Sequence, residues 1–419
     1  MKLLVVGQDF PWPPSYGSHF RLAQVIEVAT SLGDTDVFSL VMNAEPGACV
    51  VPEEIKVRRV QTVAFGRPDY SVQRRLRWLV SPGMPHEIVA SRSVERTNRF
   101  AEWVDPPYDV VWFSKATTFE LLGRPNLGPT IVDLDDLEDQ KIEARLHAMR
   151  SKSSLHSALH GAGAKAQAKL NAARWRSVQK AVARTVQQVV LCSELDAERF
   201  GAANVTVVPN GYPVPAHPAG RIEVGVPPTI MLQGSLGYAP NADAARWLVE
   251  EIAPHIWREC PSAEVRLVGS PDGSVTSLAD PPRVTVVGRV PSMEPELARA
   301  DLVAVPIRYG SGTRVKILES FAHRLPVVST TLGAEGLGAT PDVHLLVADE
   351  PRAFAAACIR LLEDQELRAR LTEEAYRLFL ERFQSSYAKN RIKELLLATA
   401  GLEARSPAST NADGGGIKA

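Results

Sequence analysis

Residues 301–330 read DLVAVPIRYGSGTRVKILESFAHRLPVVST, and this stretch decides the fold of the second half of the chain. An apolar run ends at Pro306, a loop with two glycines follows, and the next residues predict a helix with Leu318 and Phe321 on its inner face. Another apolar run begins after Pro326. This order of strand, glycine loop, helix and strand predicts a parallel α/β sheet, in which ligands bind beyond the carboxyl ends of the strands.

Similar apolar runs alternate with helical patterns along almost the whole chain. The predicted strands are residues 3–6, 37–41, 110–113, 130–133, 188–192, 205–208, 229–233, 264–268, 284–287, 302–305 and 327–329. Several are continuous runs of Val, Ile and Leu, which are typical of strands buried on both faces of a parallel sheet. The pattern occurs twice, so the sequence predicts an α/β protein with two Rossmann-like domains.

Prolines and glycines crowd the stretch at 213–228, which predicts a linker between the two domains. The tail is rich in Gly, Ala and Ser and is expected to be disordered. The predicted divisions are a first domain at 1–212, a linker at 213–227, a second domain at 228–380, a last helix at 381–400 and the tail at 401–419.

The composition is that of a soluble globular protein. The chain has 419 residues, 45% of them hydrophobic and 23% charged, with a formal net charge of −1. These values exclude global disorder and a protein that coats nucleic acid by bulk charge. The four cysteines are far apart, which argues against a zinc cage or a disulfide scaffold and fits a reducing cytoplasm.

The first residues predict a buried strand and not a signal peptide, because no small-residue cleavage site follows the short apolar run. No apolar stretch reaches the roughly 20 residues needed to span a bilayer. We therefore expect a cytoplasmic protein.

The glycine loop and the following helix combine several features of an anion site. Gly310 and Gly312 allow backbone amides to approach a ligand closely, and a helix N-terminus offers free N–H groups. Arg314 and Lys316 add full positive charges, so the stretch predicts a diphosphate cradle. Glu319, one turn further, could accept hydrogen bonds from vicinal sugar hydroxyls. The same spacing also fits a tight turn followed by an ordinary helix with charged surface residues.

This segment resembles the donor-site signature of the group 1 glycosyltransferases, a large retaining family with the GT-B fold. The similar branch has the pattern Gly-x-Gly-x-Arg-x-Lys-x-x-Glu, followed by pieces that match residues 326–330 and 333–337 here. Residues 234–243, 287–290 and 208–211 are similar as well. The resemblance is specific in the second half of the chain and loose in the first.

The resemblance implies that the second domain binds a nucleotide-diphosphate sugar and the first domain binds a hydroxyl acceptor across a cleft. The implied donor-binding residues are Gly234, Arg289, Ser311, Gly312, Thr313, Arg314, Lys316 and Glu319. The implied substrate contacts are Gly17, Ser18, His19 and Tyr238, with residues 13–19 as a loop that Arg21 helps to hold. It also implies that the last helix returns to the first domain.

Three positions depart from the common family pattern. Ser311 replaces the first of two acidic residues, which leaves the contact to the donor hexose open. Gly17-Ser18 replaces a Gly-Gly pair. Residues 234–243 contain no Arg or Lys, although many relatives carry one of each there. The last departure gives Arg314 and Lys316 a larger share of the diphosphate charge.

An Asp-x-Asp pair, Asp133 and Asp135, follows a strand of the first domain. In another glycosyltransferase fold such a pair holds a divalent metal, but the two-domain layout argues against that fold, and we expect no metal site. Asp133 or Asp136 is instead expected to line the cleft floor near the acceptor hydroxyl, and Asp136 is a candidate catalytic residue.

Basic residues dominate residues 141–184, where only Glu143 opposes them. A solvated helix face explains the pattern, and a face that meets an anionic membrane or acceptor is the alternative. The ten basic residues are Lys141, Arg145, Arg150, Lys152, Lys165, Lys169, Arg174, Arg176, Lys180 and Arg184.

The sequence therefore predicts a retaining, metal-independent glycosyltransferase that moves a hexose from a UDP-sugar or similar donor to a hydroxyl, without a cofactor. Cell-surface polysaccharide, glycolipid and natural-product assembly are the expected settings. A non-catalytic GT-B subunit that binds a nucleotide sugar or a partner protein is the alternative, motivated by Ser311. A nucleotide-sugar epimerase of the same fold fits less well, because its carboxylate pattern is not evident.

Overall fold

The structure, a computed structural model, describes residues 1–14, 17–41, 49–65, 68, 69, 71–150, 158–219, 227–310 and 314–402, with backbone alone at 148–150 and 158–162. Residues 311–313, part of the predicted cradle, lie outside this set, as does most of the predicted tail.

The first domain alternates strands and helices. Its elements are β1 (Lys2–Gly7), α1 (Gly17–Leu32), β2 (Asp34–Val41), β3 (Arg59–Ala64), α2 (Val72–Val80), α3 (His86–Ser91), α4 (Val94–Trp103), β4 (Val110–Ser114), α5 (Ala116–Leu121), β5 (Thr130–Asp135), α6 (Glu138–Arg150), α7 (Ala158–Thr185), β6 (Gln188–Leu191), α8 (Glu194–Phe200) and β7 (Val205–Val207). All seven strands pair in parallel, in the order β3-β2-β1-β4-β5-β6-β7.

The second domain repeats the plan. Its elements are β8 (Thr229–Gln233), α9 (Ala239–Trp247), a π-helical turn (Leu248–Ile252), α10 (Ala253–Glu259), β9 (Glu264–Val268), α11 (Gly273–Thr276), β10 (Val284–Gly288), α12 (Glu294–Arg299), β11 (Leu302–Val305), α13 (Val315–Ala322), β12 (Val327–Ser329), α14 (Thr331–Ala334), β13 (Leu346–Val347), α15 (Pro351–Glu363) and α16 (Gln365–Arg382). The parallel order is β10-β9-β8-β11-β12-β13. The predicted pair of Rossmann-like domains is confirmed.

Buried side chains on both faces of the strands explain the continuous apolar runs. In β1, Leu4 and Val6 enter one core of the first domain, while Leu3 and Val5 enter the core on the other face of the sheet. All eleven predicted strands are present. The prediction missed β3, an edge strand whose sequence RVQTVA is largely polar and half-exposed, and the two-residue β13.

The chain crosses between the domains twice at the same place. Tyr212 ends the first crossing, and its backbone N–H donates to Phe383 O at 2.8 Å while its carbonyl accepts from Ser385 N at 2.9 Å. The last helix, α17 (Ser385–Thr399), then packs against α1, and its Ile392 joins the core of the first domain.

Candidate active site in the interdomain cleft

The order of each sheet reverses once, and the reversal in the second sheet lies between β8 and β11. A crevice forms outside the carboxyl ends of strands at such a reversal. Gln233 ends β8 there and Gly234 follows it, and α13 begins beyond β11 with Arg314 at its N-cap position. The predicted cradle therefore lies at the ligand-binding edge of this sheet.

Lys316 lies over the loop that follows β8. Its Nζ donates to Asn241 Oδ1 at 2.8 Å, and a Cβ at position 234 would lie 3.3 Å from the same nitrogen. Gly234 also has a φ of 130°, so its lack of a side chain serves both the backbone and the approach of the lysine. This loop lacks its own cation, and Lys316 supplies one.

Burial and the positive charge of Arg314 together lower the pKa of Lys316 to about 7, whereas Glu319 acts in the opposite direction. The ammonium group is thus held among protein atoms at a cost, with one neutral acceptor, Asn241, and one carboxylate near it. A bound anion would relieve that cost.

Glu319 is the carboxylate of the site. Its Oε1 accepts from the Tyr212 hydroxyl at 2.8 Å, and its Oε2 accepts a longer hydrogen bond from Gln233 Nε2 at 3.4 Å. Burial raises the pKa of Glu319, and Tyr212, Gln233 and Lys316 oppose the rise. The carboxylate retains lone pairs for further donors such as ligand hydroxyls.

Arg314 folds back over the glycine loop. A Cβ at Gly310 would lie 3.1 Å from the Arg314 guanidinium, so a larger residue there would displace the side chain. Burial lowers the pKa of Arg314, while Tyr238, Asp136 and Glu335 raise it. Since Asp136 belongs to the first domain, the guanidinium lies within electrostatic range of the opposite wall of the cleft.

The two walls touch at several points. A Cβ at Gly17, in the first domain, would lie 2.8 Å from Val315 Cγ2 of α13, so the helices approach closely there. Arg199 of α8 forms an ion pair with Glu335, with a shortest distance of 2.6 Å. Tyr212, at the first crossing between the domains, donates its hydroxyl to Glu319.

The floor of the first domain holds a buried ion network. Arg21 makes a bidentate pair with Asp133, at 2.7 and 2.9 Å, and also donates to Val208 O and Asn210 Oδ1. This guanidinium therefore binds the ends of β5 and β7, and its predicted part in holding residues 13–19 stays a prediction. Burial raises the pKa of Asp133, and Arg21 opposes the rise.

The second carboxylate of the Asp-x-Asp pair is paired as well. Lys115 Nζ donates to Asp135 Oδ2 at 2.8 Å. Burial alone would raise the pKa of Asp135, but Lys115 and Arg21 lower it. The two aspartates are thus engaged by protein cations. Among the residues that the structure describes, no group of three His, Cys, Asp or Glu is arranged to hold a metal ion.

Asp136 lies beside two ammonium groups. Its Oδ1 is 2.5 Å from Lys141 Nζ and 3.6 Å from Lys115 Nζ. Both ammonium groups belong to the first domain. The predicted part of Asp136 in catalysis stays a prediction.

Residues 17–19 form the first turn of α1 and not a loop as predicted, because their backbone already belongs to the helix. Ser15 and Tyr16 lie outside the described residues. His19 is buried, and its Nε2 lies 3.2 Å from Asp9 Oδ2. This carboxylate orients the imidazole.

The remaining predicted site residues lie around the second domain. Tyr238 is half-exposed and precedes α9 as its N-cap. Arg289 is exposed and directly follows β10, two strands from β8. Ser311, Gly312 and Thr313 lie outside the described residues.

Sequence reasoning missed four residues that shape the site. Gln233 could have been found as the polar residue that ends an apolar strand, and Asn241 as the asparagine within the stretch at 234–243. Arg308 and Asp243 make a bidentate pair, at 2.9 and 2.7 Å, between the loop after β11 and α9. Distance along the chain hid this pair, as it hid the link from Tyr212 to Glu319.

The basic stretch at 141–184 is less exposed than its sequence suggests. Arg174 is buried, and its guanidinium donates to Trp78 O at 2.7 Å. Arg176 pairs with Asp139 and Glu143 at 2.9 and 2.7 Å. None of the helices that the structure describes combines the length and the apolar character needed to cross a membrane.

Solved structures share this architecture. A sucrose-phosphate synthase from Thermosynechococcus elongatus superposes with a TM-score of 0.66 at 14% identity, covering 94% of this chain and 98% of that one. Anabaena Alr3699/HepE in complex with UDP-glucose superposes with a TM-score of 0.58 at 15% identity, covering 95% of this chain and 100% of that one. WaaG, a glycosyltransferase involved in lipopolysaccharide biosynthesis, superposes with a TM-score of 0.60 at 12% identity, covering 94% of this chain and 98% of that one.

The chain has the GT-B fold. Residues 227–364, about a third of the chain, match the family model described as Glycosyl transferases group 1. A curated relative is 22% identical over an alignment of 166 positions, which covers 37% of this chain and 42% of the relative. It is described as an uncharacterized 44.6 kDa protein in the cps region of Klebsiella pneumoniae. The match spans less than half of that relative.

Proposed function

We propose that this protein is a retaining glycosyltransferase that transfers a hexose from a nucleotide-diphosphate donor, a UDP-sugar, to a hydroxyl acceptor. The observation that carries the proposal is the grouping of Arg314, Lys316 and Glu319 at the start of α13, beside the strand-order reversal of the second sheet. The matched family model covers this whole segment. The structural neighbours of this chain include one solved in complex with UDP-glucose.

Each of these residues has a defined part in the proposed reaction. Glu319 accepts hydrogen bonds from the ribose hydroxyls, and Arg314 and Lys316 bind the diphosphate. As the bond to the sugar breaks, the diphosphate gains charge. Fixed cations and helix N-terminal amides stabilise a leaving group that develops negative charge, and they need no reorganisation to do so. We therefore propose metal-independent transfer without a cofactor.

Retention follows in this proposal if the acceptor hydroxyl attacks from the face that the diphosphate leaves. The departing phosphate then receives the acceptor proton, and no nucleophile from the protein is required. Asp136, held by Lys141 and Lys115, orients the acceptor from the first domain. Serine at position 311 has no charge to offer the hexose, so the cations carry more of the transition-state stabilisation in this proposal.

The acceptor is proposed to belong to polysaccharide or glycolipid assembly, since WaaG acts in lipopolysaccharide biosynthesis and the curated relative lies in a cps region. The exposed basic residues of the stretch at 141–184 remain a predicted contact with an anionic membrane or acceptor. The proposed acceptor class rests on the neighbours, and the proposed contact rests on the charge of the stretch.

The deciding experiment is a screen of the purified chain against nucleotide sugars by thermal shift, followed by an assay of nucleoside diphosphate release. We expect stabilisation by one UDP-sugar and release that depends on an added acceptor. Stabilisation without acceptor-dependent release, across a broad acceptor panel, would instead favour the non-catalytic subunit. Glu319→Gln is the matched control, because it keeps the shape of the side chain and removes its charge.

A further inference from the structure

Helix α2 (Val72–Val80) is fixed to the first domain by one side only. Trp78 is 3% exposed, and the guanidinium of Arg174 lies 4.7 Å from the centre of its ring. Arg174 also donates to the carbonyls of Trp78 and Leu79 near the C-terminal end of α2. Arg74 faces the domain too, since it donates to Val89 O at 3.2 Å. These contacts define the inner face of α2.

The outer face of α2 is apolar. Val72, Leu76, Leu79 and Val80 are 73%, 59%, 46% and 78% exposed. They are spaced i, i+4, i+7 and i+8, so at about 100° per residue they share an arc of roughly 100°. That arc points away from Trp78. Four large apolar side chains in one short helix, all turned to solvent, form a contiguous patch, unlike apolar residues scattered singly over a surface.

The charges that flank this arc have one sign. Arg75 borders it on one side, and Gln73 and Arg77 border it on the other. The helix contains no Asp or Glu. The Asp69 carboxylate lies 3.5 Å from Arg74, on the inner side. An apolar strip between arginines is complementary to a bilayer surface, where acyl chains meet phosphate groups.

We propose that α2 is an interfacial helix that docks the first domain on an anionic membrane. Val72, Leu76, Leu79 and Val80 enter the boundary between headgroups and acyl chains, and Arg75 and Arg77 bind lipid phosphates on either side. The buried Trp78 and the Arg174 contacts hold the helix in place, so docking requires no unfolding. This inference rests on the surface of the first domain and is independent of the proposed donor site.

The test is flotation of the full chain with vesicles of phosphatidylcholine alone or with 30% phosphatidylglycerol. We expect binding to the anionic vesicles, weakened at 0.5 M salt because exposed charges are then screened. The double variant Leu76→Ser/Leu79→Ser should bind vesicles at least about tenfold more weakly, because the burial of apolar side chains is lost. Arg75→Gln/Arg77→Gln should lose the preference for anionic vesicles.

A matched control separates this surface from the basic stretch at 141–184. Lys169→Gln/Lys180→Gln/Arg184→Gln removes three charges there and should weaken vesicle binding by a smaller factor than the leucine variant does. Both leucines are exposed, so we expect an unchanged melting temperature and unchanged stabilisation by UDP in every variant. Wild-type binding to neither vesicle, or equal binding by the leucine variant, would overturn the proposal. Self-association that the leucine variant abolishes, without vesicle binding, would assign the face to a second copy of the chain and also overturn it.

Discussion

Lys316 makes the affinity for a sugar nucleotide depend on pH. Burial and Arg314 lower its pKa to about 7 in the free protein, whereas a bound diphosphate places negative charge beside the ammonium and raises the pKa again. Binding therefore takes up a proton whenever the free lysine is neutral. The diphosphate of a sugar nucleotide has no proton that titrates near neutrality, so the lysine dominates the change.

The size of the effect follows from linkage. Affinity should be nearly constant below pH 6.5 and should fall with rising pH, approaching a tenfold loss per unit well above the pKa of about 7. Between pH 6.5 and 8.5 the dissociation constant for UDP-glucose should rise roughly 25-fold. Proton uptake should be about 0.5 per bound ligand at pH 7 and should approach one at pH 8.5.

Calorimetry in buffers of different ionisation enthalpy measures both quantities. Lys316→Arg is the matched control, because a guanidinium stays charged throughout this range and should remove the pH dependence while retaining binding. Lys316→Met should bind weakly at every pH. If the wild-type affinity is constant from pH 6.5 to 8.5 and no proton is taken up, the diphosphate does not lie at Lys316 and the cradle assignment fails.

Three further predictions concern the same cleft. Glu319→Ala should raise the donor dissociation constant about tenfold or more, since a hydrogen bond to a charged group contributes about 1.5–3 kcal/mol; titration calorimetry with UDP measures this, and unchanged affinity in a folded variant argues against the ribose contact. Arg314→Ala should lower kcat by ~10²-fold at saturating donor, because it stabilises charge that develops in the transition state; a wild-type turnover would place the leaving group elsewhere. EDTA should leave most of the activity, and activity lost to EDTA and restored by Mn²⁺ or Mg²⁺ would make Asp133 and Asp135 candidate ligands.

Local sequence patterns predicted the fold, because buried strands and amphipathic helices each have their own spacing of apolar residues. Apolar runs marked the buried strands, and glycines and helix periodicity located the cradle around α13. Edge strand β3 escaped because its half-exposed residues lack the apolar run of a central strand. The beginning of α1 at Gly17 was missed because glycine is a poor helix former and gives no local signal of a helix start.

The partners of the site residues were harder to predict than the residues themselves. No pattern near Glu319 in the sequence predicts its hydrogen bond with Tyr212, which is 107 residues away. The pairing of Arg21 with Asp133, 112 residues apart, likewise depends on the strand order of the first sheet. Such contacts require the topology, whereas the predicted anion site required only one strand, one loop and one helix.

The return of α17 to the first domain makes that domain discontinuous in sequence. Its core contains Ile392, Leu395 and Leu396, which are synthesised after the whole second domain. The N-terminal half therefore emerges from the ribosome with an apolar surface over α1 that nothing yet covers. The first domain is complete only after the last helix has been synthesised. Residues 1–212 expressed alone should therefore aggregate unless residues 385–399 are supplied with them.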